Sequence, residues 1–220
     1  QSLVKSRKYS EVTYVHSIIT TILESREYSY LLPVEWYWLP TQKSHMPNFS
    51  RGYRESYTDG IHHWWDIYAP NESEIRAIDS GLIIRVVSGF TYEDLGALKY
   101  GNNLSYREET RNLDILRGNQ IWLKTMKGEI VFYSHLADVY SDVRVGDFVS
   151  KWAKLWTIWV TGVPEKNYKD YHLHFAIQKN PYNKLKAWKY SFDDYMDWNW
   201  LLKGLSMDDV KIQQEKIFVK

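Results

Sequence analysis

The 220-residue chain contains no cysteine. That absence excludes a disulfide framework, a thiolate zinc finger, an iron–sulfur cluster and a cysteine nucleophile, so any metal must be held by His, Asp or Glu. An excess of one charge is lacking too, with 28 Lys and Arg against 27 Asp and Glu. This balance gives no electrostatic ground for a nucleic acid or an anionic membrane as partner. No apolar run approaches the ~20 residues needed to cross a bilayer, so no membrane-spanning segment is expected. The first residues carry no basic, apolar and small-residue pattern of a secretory signal, and speak neither for nor against secretion. Glycine is scarce at 11, a count that Trp equals, while Tyr reaches 18. With 44% hydrophobic residues, the chain has the apolar material for a packed core.

The pattern along the chain predicts a mainly β fold, an antiparallel β-sheet core with a groove and short helical extensions. Short β-rich runs at 75–88, 120–125, 129–134, 147–150, 157–161 and 171–178 are separated by turn signals, with Lys127-Gly128 as a hairpin turn. No helical period intervenes between them, which argues against a doubly wound sheet. Residues 1–48 read as an N-terminal extension with one short helix at 16–25, residues 49–182 as the core domain, and residues 183–220 as a C-terminal extension with a helix near 206–217. The polar segment 90–117 reads as an insertion, either folded over a cleft or simply a solvated loop.

The seven histidines are the chemistry-bearing feature, and five of them fall in three tight settings. In YHLHFAI, His172 and His174 are two apart, so a strand turns both imidazoles to one face while Leu173 and Phe175 enter the core. His62 and Asp66, four apart, follow the turn-forming Asp59-Gly60. His135 follows the apolar run that ends in Tyr133-Ser134. Zinc accepts a His, Asp, His set and leaves a position for water, and neutral or protonated imidazoles suit the proton transfers of hydrolysis. Taken singly, each of these histidines also fits a structural role; their joint occurrence in one β domain points to a metal centre.

HxxxD at His62 and Asp66, YSHL at 133–136 and HLHF at 172–175 resemble, in the same order, the three motifs of the lysostaphin/LytM-type zinc metallopeptidases. The likeness runs over roughly residues 49–180 and includes FSRGYR at 49–54, similar to the family's Gly-x-Arg approach. The resemblance implies that His62, Asp66 and His174 bind one zinc ion, and that His135 and His172 assist catalysis. It also implies a peptidoglycan peptide as substrate, cut at its cross-links by zinc-activated water, and a cell-envelope or extracellular setting. His63 is a rival ligand whose spacing to Asp66 does not fit the motif. Tyr57 is a candidate donor to the oxyanion, core packing being its other reading. Two alternatives from other classes are a non-catalytic relative that binds cell wall or activates an amidase, and an aromatic-rich glycan-binding module. Non-catalytic members usually lack ligands, whereas all five polar residues are present here. The oligomeric state is not legible.

The chain departs from the family at its glycines. The family motif reads HxGxD, but Trp64 stands at the glycine, and Trp152, Trp156 and Trp159 stand at three further glycine positions in VRVGDFVSKWAKLWTIWVTG. Glycine serves where the backbone needs positive φ or close approach, and Trp is among the least suitable replacements. Two explanations fit: UGA codons for glycine rendered as Trp, with Trp36, Trp38 and Trp188 as weaker instances, or a remodelled protein whose Trp side chains line a substrate groove. In the protein as written, a strained loop holding His62 and Asp66 is expected to weaken zinc binding. Trp65 and Trp122 stand where a large residue is acceptable.

Overall fold

A computed structural model describes residues 30–51, 60–101, 103–137, 142–165, 167–179 and 200–219. The helix expected at 16–25, Arg54, Tyr57 and Trp188 lie outside these residues. In chain order the strands are β1 (Tyr30–Leu31), β2 (Trp65–Tyr68), β3 (Glu74–Arg76), β4 (Gly81–Val87), β5 (Gln120–Thr125), β6 (Ile130–Ser134), β7 (Phe148–Val149), β8 (Lys154–Thr157), β9 (His172–Gln178) and β10 (Phe218–Val219). A six-stranded antiparallel sheet runs in the order β2-β9-β6-β5-β4-β7. Beside it, β3 pairs with β8 in an antiparallel ribbon and β1 pairs with β10 in a parallel one.

Strand alternation places the core. On one face of the sheet Trp65, Ile67, Ile121, Leu123, Val131, Tyr133, Leu173, Phe175 and Ile177 join the main hydrophobic cluster. On the other, Trp64, Ile84, Leu113, Trp122, Ile130, Phe132 and Ala176 form a smaller one. His172 and His174 share the face of Ala176.

The expected β core is present, with three local differences. The run at 75–88 is two strands, β3 and β4, separated by a bend at Ile78 and Asp79. The run at 157–161 is displaced, because β8 begins at Lys154 and ends at Thr157, where the chain turns toward the histidines. The 90–117 segment is not a loop: it holds a 3-10 helix, Tyr92–Ala97, and a helix α1, Tyr106–Arg117. Ser105 and Glu108 form a reciprocal capping box at the start of α1, two acidic residues occupy its first turn, and Gly118 ends it. The C-terminal helix expected near 206–217 is α2, Met207–Ile217, with Ser206 as its N-cap.

The Trp positions divide. Trp152 and Trp36 adopt φ of 73° and 68°, the left-handed region that favours glycine. Trp36 is 88% exposed, and Trp38, also exposed, is not left-handed. Trp156 is buried and its Nε1 donates to the Ala137 carbonyl at 2.7 Å. Trp159 packs on Tyr171. Trp64 is buried and does not take a positive φ, so the backbone strain expected in the loop between His62 and Asp66 is not found there.

Candidate metal centre

Strand register brings the polar residues together. In the β2–β9 pair Asp66 faces His174 and Tyr68 faces His172, so both pairs point to one side of the sheet. His62 lies in the segment that enters β2, and His135 immediately follows β6, whose last residue, Ser134, faces His174. His62 Nε2 stands 3.3 Å from Asp66 Oδ1, and His174 Nδ1 stands 3.6 Å from the same oxygen. These are separations that a shared cation bridges. Across from them, the His135 ring centroid is 4.9 Å from that of His172 and 5.2 Å from that of His174.

Three of the imidazoles are oriented by their other nitrogen. His62 Nδ1 donates to the Met46 carbonyl at 3.2 Å, His135 Nδ1 to the Thr161 carbonyl at 2.7 Å and His172 Nδ1 to the Asp170 carbonyl at 2.8 Å. Such bonds fix the tautomer and leave Nε2 as the free base. The remaining Asp66 oxygen, Oδ2, accepts from Arg51 at 2.9 Å, and Arg51 also donates to the Ser44 carbonyl. His62 Nε2, Asp66 Oδ1 and His174 Nε2 are buried and complete no hydrogen bond among the described residues. Buried polar atoms left open at one point are what a metal site shows before its ion is added.

Two sets of three residues have ligand atoms within 4.8 Å of one another: His62, Asp66 and His174, and His135, His172 and His174. The first combines two imidazoles with a carboxylate, the donor set that zinc takes. His63, the rival, points elsewhere and stacks on Trp200 at a centroid distance of 3.9 Å.

Burial and neighbouring charges set the protonation. Burial raises the Asp66 carboxyl, but His62 and then His174 outweigh it and hold Asp66 well below the ordinary carboxylate range. Burial, reinforced by His172, lowers His135 to about 3, and burial lowers His174 well below its usual value. His135 and His174 are therefore neutral imidazoles at pH 7.

The close packing behind His135 depends on glycine. Gly118 at φ 62° and Gly162 at φ 82° approach so closely that a Cβ on Gly118 would meet the backbone of Thr161, and one on Gly162 the backbone of Gly118 and Leu116. This contact seats the Thr161 carbonyl against His135, and His135 N donates to the Arg117 carbonyl at the end of α1.

Several residues around the site escaped the sequence. Arg51 lies inside FSRGYR, where attention fell on Gly52 and Arg54. His45, a lone histidine with no spacing to betray it, packs at a tilt on Tyr68, ring centroids 4.6 Å apart. Tyr68 in turn stacks on His172 at 5.3 Å, and its place two residues after Asp66 on a strand is a signal that could have found it. Trp64 meets His174 edge-on at 4.4 Å, and the Arg117 guanidinium covers the Trp64 ring at 4.1 Å.

No protein-family profile matches the sequence, and no curated protein sequence matches it. Solved structures do. A zinc-containing peptidase from Vibrio cholerae is 16% identical, with a TM-score of 0.45 over 69% of this chain and 37% of that one. The catalytic domain of lysostaphin, an antimicrobial peptidase from Staphylococcus simulans, is 22% identical, with a TM-score of 0.41 over 73% of this chain and 95% of that one. A variant of the catalytic domain of the prophage-encoded protein EnpA from Enterococcus faecalis is 14% identical, with a TM-score of 0.41 over 77% of this chain and 98% of that one. The chain thus spans little more than a third of the first of these and nearly all of the other two. In the order of its motifs and in the structures it matches, it resembles the lysostaphin/LytM-type zinc peptidases.

Proposed function

We propose that the chain is a zinc-dependent endopeptidase that cleaves peptide cross-links of bacterial peptidoglycan. The carrying observation is the convergence of His62 Nε2, Asp66 Oδ1 and His174, buried and open to a ligand, with His135 and His172 in a second cluster that shares His174. His62, Asp66 and His174 would hold the ion. Zinc bound there supplies Lewis acidity, which polarises a peptide carbonyl and acidifies water.

The protein's own residues do the rest. Arg51 holds Asp66 through Oδ2 and leaves Oδ1 facing the histidines. His135, neutral and anchored through Nδ1, presents Nε2 as a base that can take a proton from water and return it to the departing amine. His172, anchored in the same way to the Asp170 carbonyl, presents a second Nε2 beside it. The motif resemblance gives it, with His135, the part of assisting catalysis. The peptidoglycan substrate and an envelope or extracellular setting rest on the motif resemblance.

The test is digestion of purified peptidoglycan. Release of new amino termini is expected, with loss of activity on chelation and in His174→Ala. Activity that persists in His174→Ala would overturn the zinc assignment. Binding to the wall with no cleavage would instead favour a non-catalytic wall-binding module.

A further inference from the structure

Residues 200–219 lie on the reverse face of the sheet, directly behind the candidate ligands. Side chains alternate along a strand, so where Asp66 and His174 face the metal centre, their neighbours Trp65 and Phe175, themselves paired in register, face the main core. Phe218 of β10 packs on both, at centroid distances of 5.7 Å from Trp65 and 6.1 Å from Phe175. Gln214 of α2, buried to 4% exposure, accepts from Trp65 Nε1 at 2.9 Å and donates to the Pro40 carbonyl at 3.1 Å.

A second set of contacts reaches His62. Trp200 stacks nearly flat on His63, the residue after the ligand, at 3.9 Å and 13°. Trp200 Nε1 donates to Asn48 Oδ1 at 2.7 Å, and Asn48 N donates to the His62 carbonyl at 2.6 Å. The Asn48 side chain also donates to the carbonyls of Leu202 and Leu205. Both ligand-bearing segments, 62–66 and 172–175, are therefore backed by this stretch.

We infer that residues 200–219 form a brace that holds the metal-binding loop in place, with Gln214 and Trp200 as its positioning residues. This inference rests on the metal reading above. Buried hydrogen-bonding partners hold ligands within a narrow range of positions, and loss of such a partner typically weakens metal affinity 10- to 100-fold. Gln214 touches no ligand; it acts through Trp65, and Trp200 acts through His63 and Asn48.

The experiment uses the full chain with Gln214→Leu, which keeps the side-chain volume and removes the acceptor, and Trp200→Phe, which keeps a ring on His63 and removes the donor to Asn48. Zinc affinity is read by competition with a chromophoric chelator, and amide exchange at residues 61–67 is read in metal-free protein. Each variant is expected to bind zinc about tenfold more weakly and to exchange faster at 61–67, with exchange in β5 unchanged. Parent-like zinc affinity and loop exchange in both variants would overturn the brace. So would faster exchange in β5 equal to that in the loop, which marks a general loss of stability. A parent protein that takes up no zinc would sink the metal reading, while loop exchange would still decide the brace.

Discussion

Trp152 and Trp156 stand four apart at positions where the related motif has glycine, and the structure treats them oppositely. Trp152 sits at φ 73°, where a bulky side chain is strained and glycine is at ease. Trp152→Gly is therefore expected to stabilise the protein by about 1 kcal/mol in urea unfolding, even though it gives up the contact with Arg76. Trp156→Gly is expected to destabilise by at least about 3 kcal/mol, since it empties a buried volume and leaves the Ala137 carbonyl with Asn119 Nδ2 but without the indole donor. Destabilisation at both positions would remove the backbone ground for glycine at 152. Reading the codons at 36, 64, 152, 156 and 159 then separates recoding from remodelling, UGG marking true Trp. The histidines give a second prediction. His135 and His174 are neutral when folded but take protons when unfolded below about pH 6.5. Their folded pKa values are depressed, so stability is fully present above that pH and is lost as pH falls toward about 3. Asp66, held low, adds to the loss below its ordinary value of 3.8. The melting temperature of metal-free protein should fall steadily from pH 7 to pH 4, and a flat profile would contradict the neutral, buried imidazoles.

The strands were legible because period 2 survives in short runs such as QIWLKT and HLHFAIQ, and the hairpin between β5 and β6 carries its own Lys-Gly turn. Helix α1 was less visible. Its capping box, Ser105 to Glu108, is present in the sequence, but the twelve-residue segment buries polar Thr110, Asn112 and Arg117 beside Leu113, so it shows only a faint apolar stripe. That helix matters to the site, because its last residue, Arg117, accepts from His135 N and its C-terminal Gly118 nests against Thr161 and Gly162. Gly162→Ala should cost more than about 1 kcal/mol, since it adds a Cβ at positive φ against backbone, and should shift the His135 imidazole signals in NMR spectra while leaving those of His62 in place. Unshifted His135 signals would show that the glycine contact does not seat that side chain.

For the molecule as a whole, a zinc ion held at the candidate site would couple folding to ligand binding. An ion that binds only the folded chain stabilises it by an amount set by free concentration over Kd, about 2.7 kcal/mol at a hundredfold excess. Chelation should lower the melting temperature and added zinc restore it, whereas His174→Ala should melt at the same temperature with and without zinc. Of the candidate site, the sequence alone pointed to His62, Asp66, His135, His172 and His174, because fixed spacing on strands and family-like motifs are local properties of the chain. Tertiary structure decided which ring nitrogen each histidine frees, since that depends on the carbonyls of Met46, Thr161 and Asp170. It also decided that Arg51 grips Asp66 and that Gln214, nearly 150 positions away, reaches Trp65. Contacts across such separations leave no periodic trace in a single sequence; they exist only once burial has brought the partners together and each buried polar group has had to find its mate.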